Sequence, residues 1–381
     1  MVLPYILYSF TPHGYVEKWM NIYTPATIFL ELPMKFLLPL LFLFSSHSYA
    51  DTKSNSRAID HAPIGVMGDH YHKKGEAMFS VRHSYMKMSG NRYNGDNVSS
   101  QDILAIPNPL GNMPANLSVV PVEMTMKMTM VGGMYAPTNK ITLMAMGMFM
   151  SKDMDLNTYQ PMMNRDLLGT FSTSSSDITD ISLGALIKLQ ESDTSRWHGQ
   201  LAVQKSVGSN DIKGVVLTPM NMQMSMTLPY GMQPSDRATK LVVGITNVTK
   251  LTERWLWGNQ LRKKFTISDD DWAFGNHTEL NSWAQYELNQ AIALSSRLQI
   301  THQGKISGKN PMIMAPVQTA NPENYGGSEV TFGLGVNIVM KILPGEADRF
   351  GLEVTKPLAQ DKNGLQMSSD YKISFGYQKS F

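Results

Sequence analysis

The chain has no cysteine in 381 residues, so neither a disulfide framework nor a thiolate metal site is open to it. Charge is sparse as well. Asp, Glu, Lys and Arg make up 17% of the residues and the formal net charge is +2, which gives no electrostatic footprint for nucleic acid as a partner. After Ala50 no stretch approaches ~20 consecutive apolar residues, and that excludes helical membrane spans. A Gly-x-Ser-x-Gly elbow and a His-Glu-x-x-His pair are both missing, so two common hydrolase machineries have no anchor. What remains is a secreted β-protein or a barrel that crosses a membrane with strands.

The start of the chain favours export. Met34-Lys35-Phe36 is followed by the short apolar run Leu37 to Phe44 and by the small residues Ser48 and Ala50. This is the layout of a secretory signal over 34–50, cut after Ala50. Residues 1–33 then read as an over-long N-terminal extension. Residues 51–75, broken by Pro63, Gly65, Gly68 and Gly75, have no periodicity and read as a periplasmic segment or a small plug before a barrel over 76–381.

The end of the chain is a strand. Tyr371, Ile373, Phe375 and Tyr377 fall on one face, Lys372, Ser374, Gly376 and Gln378 on the other, and Phe381 is last. Such an end resembles the closing strand of an outer-membrane barrel, which the assembly machinery recognises. Similar alternation predicts strands near 76–88, 122–135, 140–151, 179–190, 197–207, 239–250, 254–265, 277–289, 291–303, 328–340 and 348–358. The predicted fold is therefore all-β, a transmembrane antiparallel barrel of about 12 strands with short periplasmic turns and long extracellular loops near 89–121, 152–178, 208–238 and 304–327. Pro357 is read as the end of the eleventh strand. Trp197, Trp255, Trp257 and Tyr135, close to the short turns, read as an interfacial girdle.

Methionine is abundant. There are 29, and all but Met1, Met20 and Met34 follow Ala50. Met124, Met126, Met128 and Met130 share one face of the second strand, and Met144, Met146, Met148 and Met150 share one face of the third. The opposite face of the third is apolar, which pushes methionine inward. That of the second is Thr125, Lys127 and Thr129, which pushes it outward. Expected wall positions of the pore are Arg82, Lys188, Gln200, Gln204, Met144, Met146, Met148 and Met150, while Lys205 falls on the greasy face as a snorkelling Lys. The run Met220, Met222, Met224 and Met226 resembles the Met-x-Met runs of copper-handling proteins, and thioether suits Cu(I). His70 and His72, with His61, Asp69 and Met67 nearby, form a second candidate metal locus. No cofactor is required by any motif.

The segment Gly68 to Glu76, the stretch Met86 to Arg92, the Met-rich hairpin and the final strand together resemble the Met-rich branch of the outer-membrane barrels grouped as phenol meta-pathway transporters. The resemblance implies a monomeric barrel in the outer membrane of a Gram-negative bacterium, set among lipid and lipopolysaccharide, that passes small molecules. The expected function is a small-solute channel with a link to soft metal such as copper. The alternatives are an uptake channel for hydrophobic or aromatic compounds and, third, a barrel hydrolase.

Overall fold

The computed structural model describes residues 57–381 apart from 112, 163 and 344–346. The extension and export signal read at 1–33 and 34–50 lie outside the described residues, as do Pro344 and Gly345. Twelve long strands run in chain order: β1 (Ala77–Tyr93), β2 (Val119–Thr138), β3 (Ile141–Tyr159), β4 (Leu167–Glu191), β5 (Ser195–Ser206), β6 (Thr239–Lys250), β7 (Trp255–Ser268), β8 (His277–Asn289), β9 (Ile292–Gln303), β10 (Gly327–Met340), β11 (Asp348–Lys362) and β12 (Leu365–Ser380). Each pairs antiparallel with the next, and β12 returns to β1 from Met78↔Ser380 to Tyr93↔Leu365. Closure leaves no long edge, so backbone groups in hydrocarbon find partners within the sheet.

Period-two alternation separates the two faces. Leu183, Leu201, Leu261, Leu294, Leu334 and Phe375 are exposed on the outer face, as a lipid-facing band requires. Trp197, Trp255, Trp257 and Tyr135 are exposed on that same face near the short turns. Lys205 also points outward, and its Nζ donates to the Arg237 carbonyl at 2.6 Å, which ties its charge to the adjoining loop.

Two connections and the place of Pro357 differ from the expectation. The 152–178 gap is mostly strand, because β3 runs on to Tyr159 and β4 begins at Leu167. There the strands carry Ser172 bonded to Asp155 at 2.6 Å and Thr170 bonded to Asn157 at 2.7 Å, so a polar outer surface conceals strand from a search for apolar alternation. At the same end β11 and β12 are joined by the two-residue turn Asn363-Gly364, with Gly364 at φ +59°, a conformation glycine adopts without strain. Pro357 lies inside β11 rather than at its end. A register shift after Thr331↔Pro357 absorbs its missing N–H, and the β11–β12 ladder stops at Thr355↔Lys372.

The remaining long loops, 94–118, 207–238 and 304–326, pack together over the loop end. Leu228, Tyr230, Met232, Trp272, Ile313 and Val317 form an apolar core there with Met124, Met154 and Met367 from the inner wall. Lys152 Nζ donates to the Gly231 and Gln233 carbonyls at 2.9 and 2.7 Å, which fastens this cap to β3. Because the natural chain is free of cysteine, single substitutions can report sidedness. A membrane-impermeant maleimide should label Ser225→Cys on intact cells, whereas Asp193→Cys in the β4–β5 turn should label only after the membrane is opened. The reverse pattern would invert the barrel.

Candidate functional site

The inner wall is where sequence and structure meet most closely. Antiparallel pairing sets directly opposed residues on one face, and the register places Arg82↔Met130, Ser84↔Met128 and Met86↔Met126 in β1–β2. Next come Met128↔Met150, Met130↔Met148 and Met134↔Met144 in β2–β3. Arg82 and Ser84 are buried inside the barrel, and Leu143 and Phe149, of opposite parity in β3, are exposed outside. Both methionine rows therefore face the lumen. They form one continuous thioether wall with Met86 and Met88. The polar face that argued for an outward row in β2 belongs largely to its upper part, where Glu123 pairs with Lys87 at 3.0 Å and Lys127 stands opposite Ser151.

Five strands round the barrel, β7 and β8 present Arg262, Lys264 and Glu279 inward, with Arg262↔Glu279 and Lys264↔His277 opposed. Lys372 of β12 stands beside Met86. Arg262 is 3.9 Å from Glu279 and donates to Gln200 Oε1 at 3.1 Å. Among the described residues Lys264 and Lys372 form no ion pair with a carboxylate. The soft apolar wall in the middle of the lumen thus faces Arg262 and Lys264 across the barrel and is flanked by Lys372 on its own side.

Residues 57–75 occupy the short-turn half of the lumen. Their backbone is neither helix nor strand apart from a single turn at Ala58–Asp60, so its carbonyls need partners from outside the segment. The barrel wall supplies them. Gln285 donates to the His61 carbonyl at 2.7 Å and Asn337 to the same oxygen at 2.9 Å. Arg82 donates to the Ile64 and Val66 carbonyls, each at 2.8 Å, and Gln260 to that of Met67 at 2.9 Å. His198 Nε2 donates to the Gly68 carbonyl at 2.9 Å, and Arg349 reaches that of Ala62. Apolar contacts seat the same segment. A Cβ on Gly351 would lie 2.8 Å from Ile64 Cβ and one on Gly376 2.6 Å from Ile64 Cδ1, so these glycines leave a socket for Ile64. Gly65 rests on the buried Arg297–Glu353 pair, which a Cβ there would strike.

Arg82, Gln200 and Gln204 all point inward and are buried, but Arg82 is committed to the segment rather than open to a solute. Gln200 lies between Arg262 and Met144, with its Nε2 3.8 Å from the Met144 sulfur. Lys188 stands at the mouth, 5.6 Å from the Tyr71 ring and paired with Glu191. His70 and His72 lie in the segment, where the His72 N–H donates to Thr142 Oγ1 at 2.9 Å. The run Met220 to Met226 lies at the other end of the barrel, on a hairpin of Lys213–Leu217 and Gln223–Thr227. Met220, Met222 and Met224 are exposed there, and the fold does not bring them to the histidines. His198, Gln260, Gln285, Asn337 and Arg349, the anchors of the segment, carry no local sequence signal.

Burial lowers the pKa of His61 well below the usual range, helped by Arg349, and lowers that of His70. For Asp69 burial acts upward, but His70, Arg349 and His61 outweigh it and hold the carboxyl well below its ordinary value. Two histidine–hydroxyl contacts, His83 with Thr129 at 2.9 Å and His302 with Ser328 at 3.0 Å, occur in exposed positions. They face outward from the barrel rather than into a cleft.

No protein-family model matches the chain, and no curated protein sequence is detectably similar to it. Among solved structures, an outer membrane channel from Pseudomonas putida F1 aligns with a TM-score of 0.53 at 14% identity, over 83% of this chain and 99% of that one. The β domain of the Bordetella autotransporter BrkA aligns at 0.43 and 11% identity, over 81% and 100% of the two chains. The P. putida toluene transporter TodX aligns at 0.41 and 11% identity, over 81% and 91%. The first is close enough in shape to bear on architecture; the other two are not. At 14% identity the likeness shows a shared fold, that of an outer-membrane β-barrel.

Proposed function

We propose that the chain is an outer-membrane channel for small solutes, and that its preferred solutes join an aromatic or other apolar body to an anionic group. The observation that carries this reading is the double methionine row facing the lumen from β2 and β3. Thioether side chains are apolar, polarizable and adaptable, and sulfur–aromatic contacts contribute ~0.3–1.5 kcal/mol each. Lys264 and Lys372 would attend the anionic end. A hydrophilic porin needs no such wall, since lumen polarity is what tunes selectivity in these barrels.

A soft-metal route remains a second reading, because thioethers need no deprotonation to bind Cu(I) and the same rows would serve it. One experiment separates the two. Met128, Met130, Met148 and Met150 are replaced together, once by Leu and once by Gln. If the wall acts through its apolar surface, flux of an aryl sulfonate into proteoliposomes should survive in the Leu variant and fall roughly tenfold, about 1.4 kcal/mol, in the Gln variant. Loss in both variants would point to sulfur chemistry. Loss in neither would remove the wall from the account.

A further inference from the structure

The segment inside the lumen holds a side-chain cluster that solute passage does not use. His61, Asp69 and His70 each offer one ligand-capable atom, and these three atoms lie within 4.8 Å of one another. All three residues are more than nine-tenths buried, as is His72. The rings of His61 and His70 meet edge to face with centroids 4.5 Å apart, and those of His70 and His72 at 4.9 Å. Buried imidazole nitrogens ordinarily find a partner. Here His61 Nδ1, His70 Nε2 and His72 Nε2 have none, and His70 Nδ1, although 3.1 Å from Asp69 Oδ2, is not aligned for a hydrogen bond. One cluster with several orphaned buried nitrogens needs a physical reason.

We propose that His61, Asp69, His70 and His72 form a site for one borderline divalent ion, zinc or Cu(II), which staples the two ends of the lumen segment together. Three imidazoles and one carboxylate make a four-coordinate N/O donor set, tetrahedral for zinc and tetragonal for Cu(II). Bonds of about 2.0–2.1 Å put tetrahedral ligand atoms roughly 3.4 Å apart, so the His61, Asp69 and His70 atoms, within 4.8 Å of one another, have to draw in by up to about 1.4 Å. The outer contacts suit this role. His72 Nδ1 is 3.4 Å from Glu76 Oε2, leaving Nε2 for the ion, and the Ala62 N–H donates to Asp69 Oδ2 at 2.9 Å. A carboxylate behind a ligating histidine fixes its orientation. The neighbouring Arg349 opposes a cation, and the Asp69 carboxylate offsets it. Closing His61 onto 69–72 would reinforce the fold of a segment that has few hydrogen bonds of its own, and would make its grip on the lumen depend on the ion.

The test uses the full mature protein in detergent, stripped with a chelator and then offered Zn²⁺ or Cu²⁺ against a competing chelator. Uptake of one ion per barrel is expected, with an X-ray absorption shell of nitrogen and oxygen near 2.0 Å and no sulfur. His61→Asn with His70→Gln should weaken binding by at least roughly 100-fold, while His83→Asn with His302→Asn, on the outer face, should leave it unchanged. Heat-modifiable migration reports folding, and Asp69→Asn decides the matter if the double variant does not fold. The proposal is overturned if wild-type protein takes up neither ion, if the site variants bind as tightly as wild type, or if the shell contains sulfur.

Discussion

A barrel lacking residues 57–72 is expected to conduct several-fold more than the whole protein in planar bilayers. The segment fills the short-turn half of the lumen and its carbonyls occupy Arg82, Gln260, Gln285 and Asn337. Removing it hands those donors back to water. Stranding a buried donor costs ~1–3 kcal/mol, but an emptied lumen admits solvent, so the barrel should still form and still migrate as a folded species before heating. A subtler variant makes the same point. Gly376→Leu fills the socket of Ile64, where even a Cβ would lie 2.6 Å from Ile64 Cδ1, and should raise conductance without shortening the chain. Unchanged conductance in both would mean that the segment does not obstruct the path.

The largest loss of stability is expected from Glu353→Ala. Arg297 donates to Glu353 through Nε at 2.8 Å and a terminal nitrogen at 2.9 Å, and its remaining nitrogen donates to Asn281 Oδ1 at 2.7 Å. Both side chains are 1% exposed. Cutting one partner leaves a desolvated charge, which costs ~3–5 kcal/mol, whereas replacing both with apolar residues of similar volume is often neutral. Glu353→Ala should therefore shift the urea unfolding midpoint far to the low side, and Arg297→Met with Glu353→Leu should recover most of it. Equal losses in the single and double variants would mean that the pair contributes through its attraction rather than through the cost of breaking it. Gly65 sits on this pair, so both variants should also loosen the lumen segment.

The barrel was legible because strands crossing lipid must alternate, and the spans 239–250 and 277–289 coincide with β6 and β8. Alternation fails where a strand leaves the bilayer. Ser172, Ser174 and Ser176 on the outer face of β4 look like loop and are strand. The same effect made the facing of the second methionine row ambiguous, since Thr125 and Lys127 face outward above the apolar band while Met126 and Met128 face inward. Pairing register, not hydropathy, resolves it. The lumen segment was opaque for another reason. Its order depends on side chains far away in sequence, Gln285 at 224 residues and Asn337 at 276 from His61, and no local pattern encodes such contacts. The residues of the histidine cluster were visible as neighbours in the sequence, His70 and His72 with His61, Asp69 and Met67 nearby. Which histidines and which carboxylate converge follows only from the fold of residues 61–70.

The central claim, that solutes move along the thioether wall, is tested most directly by the relative entry of benzenesulfonate and methanesulfonate into proteoliposomes carrying the whole protein. Both are permanently ionised and cross lipid poorly, and they share one anionic group. A simple hydrophilic pore sorts by size and passes methanesulfonate faster. A lumen with methionine rows on β2 and β3 opposite Arg262 and Lys264 should pass benzenesulfonate faster despite its bulk. Preference for methanesulfonate in wild type, unaltered by Gln at Met128, Met130, Met148 and Met150, would contradict the account.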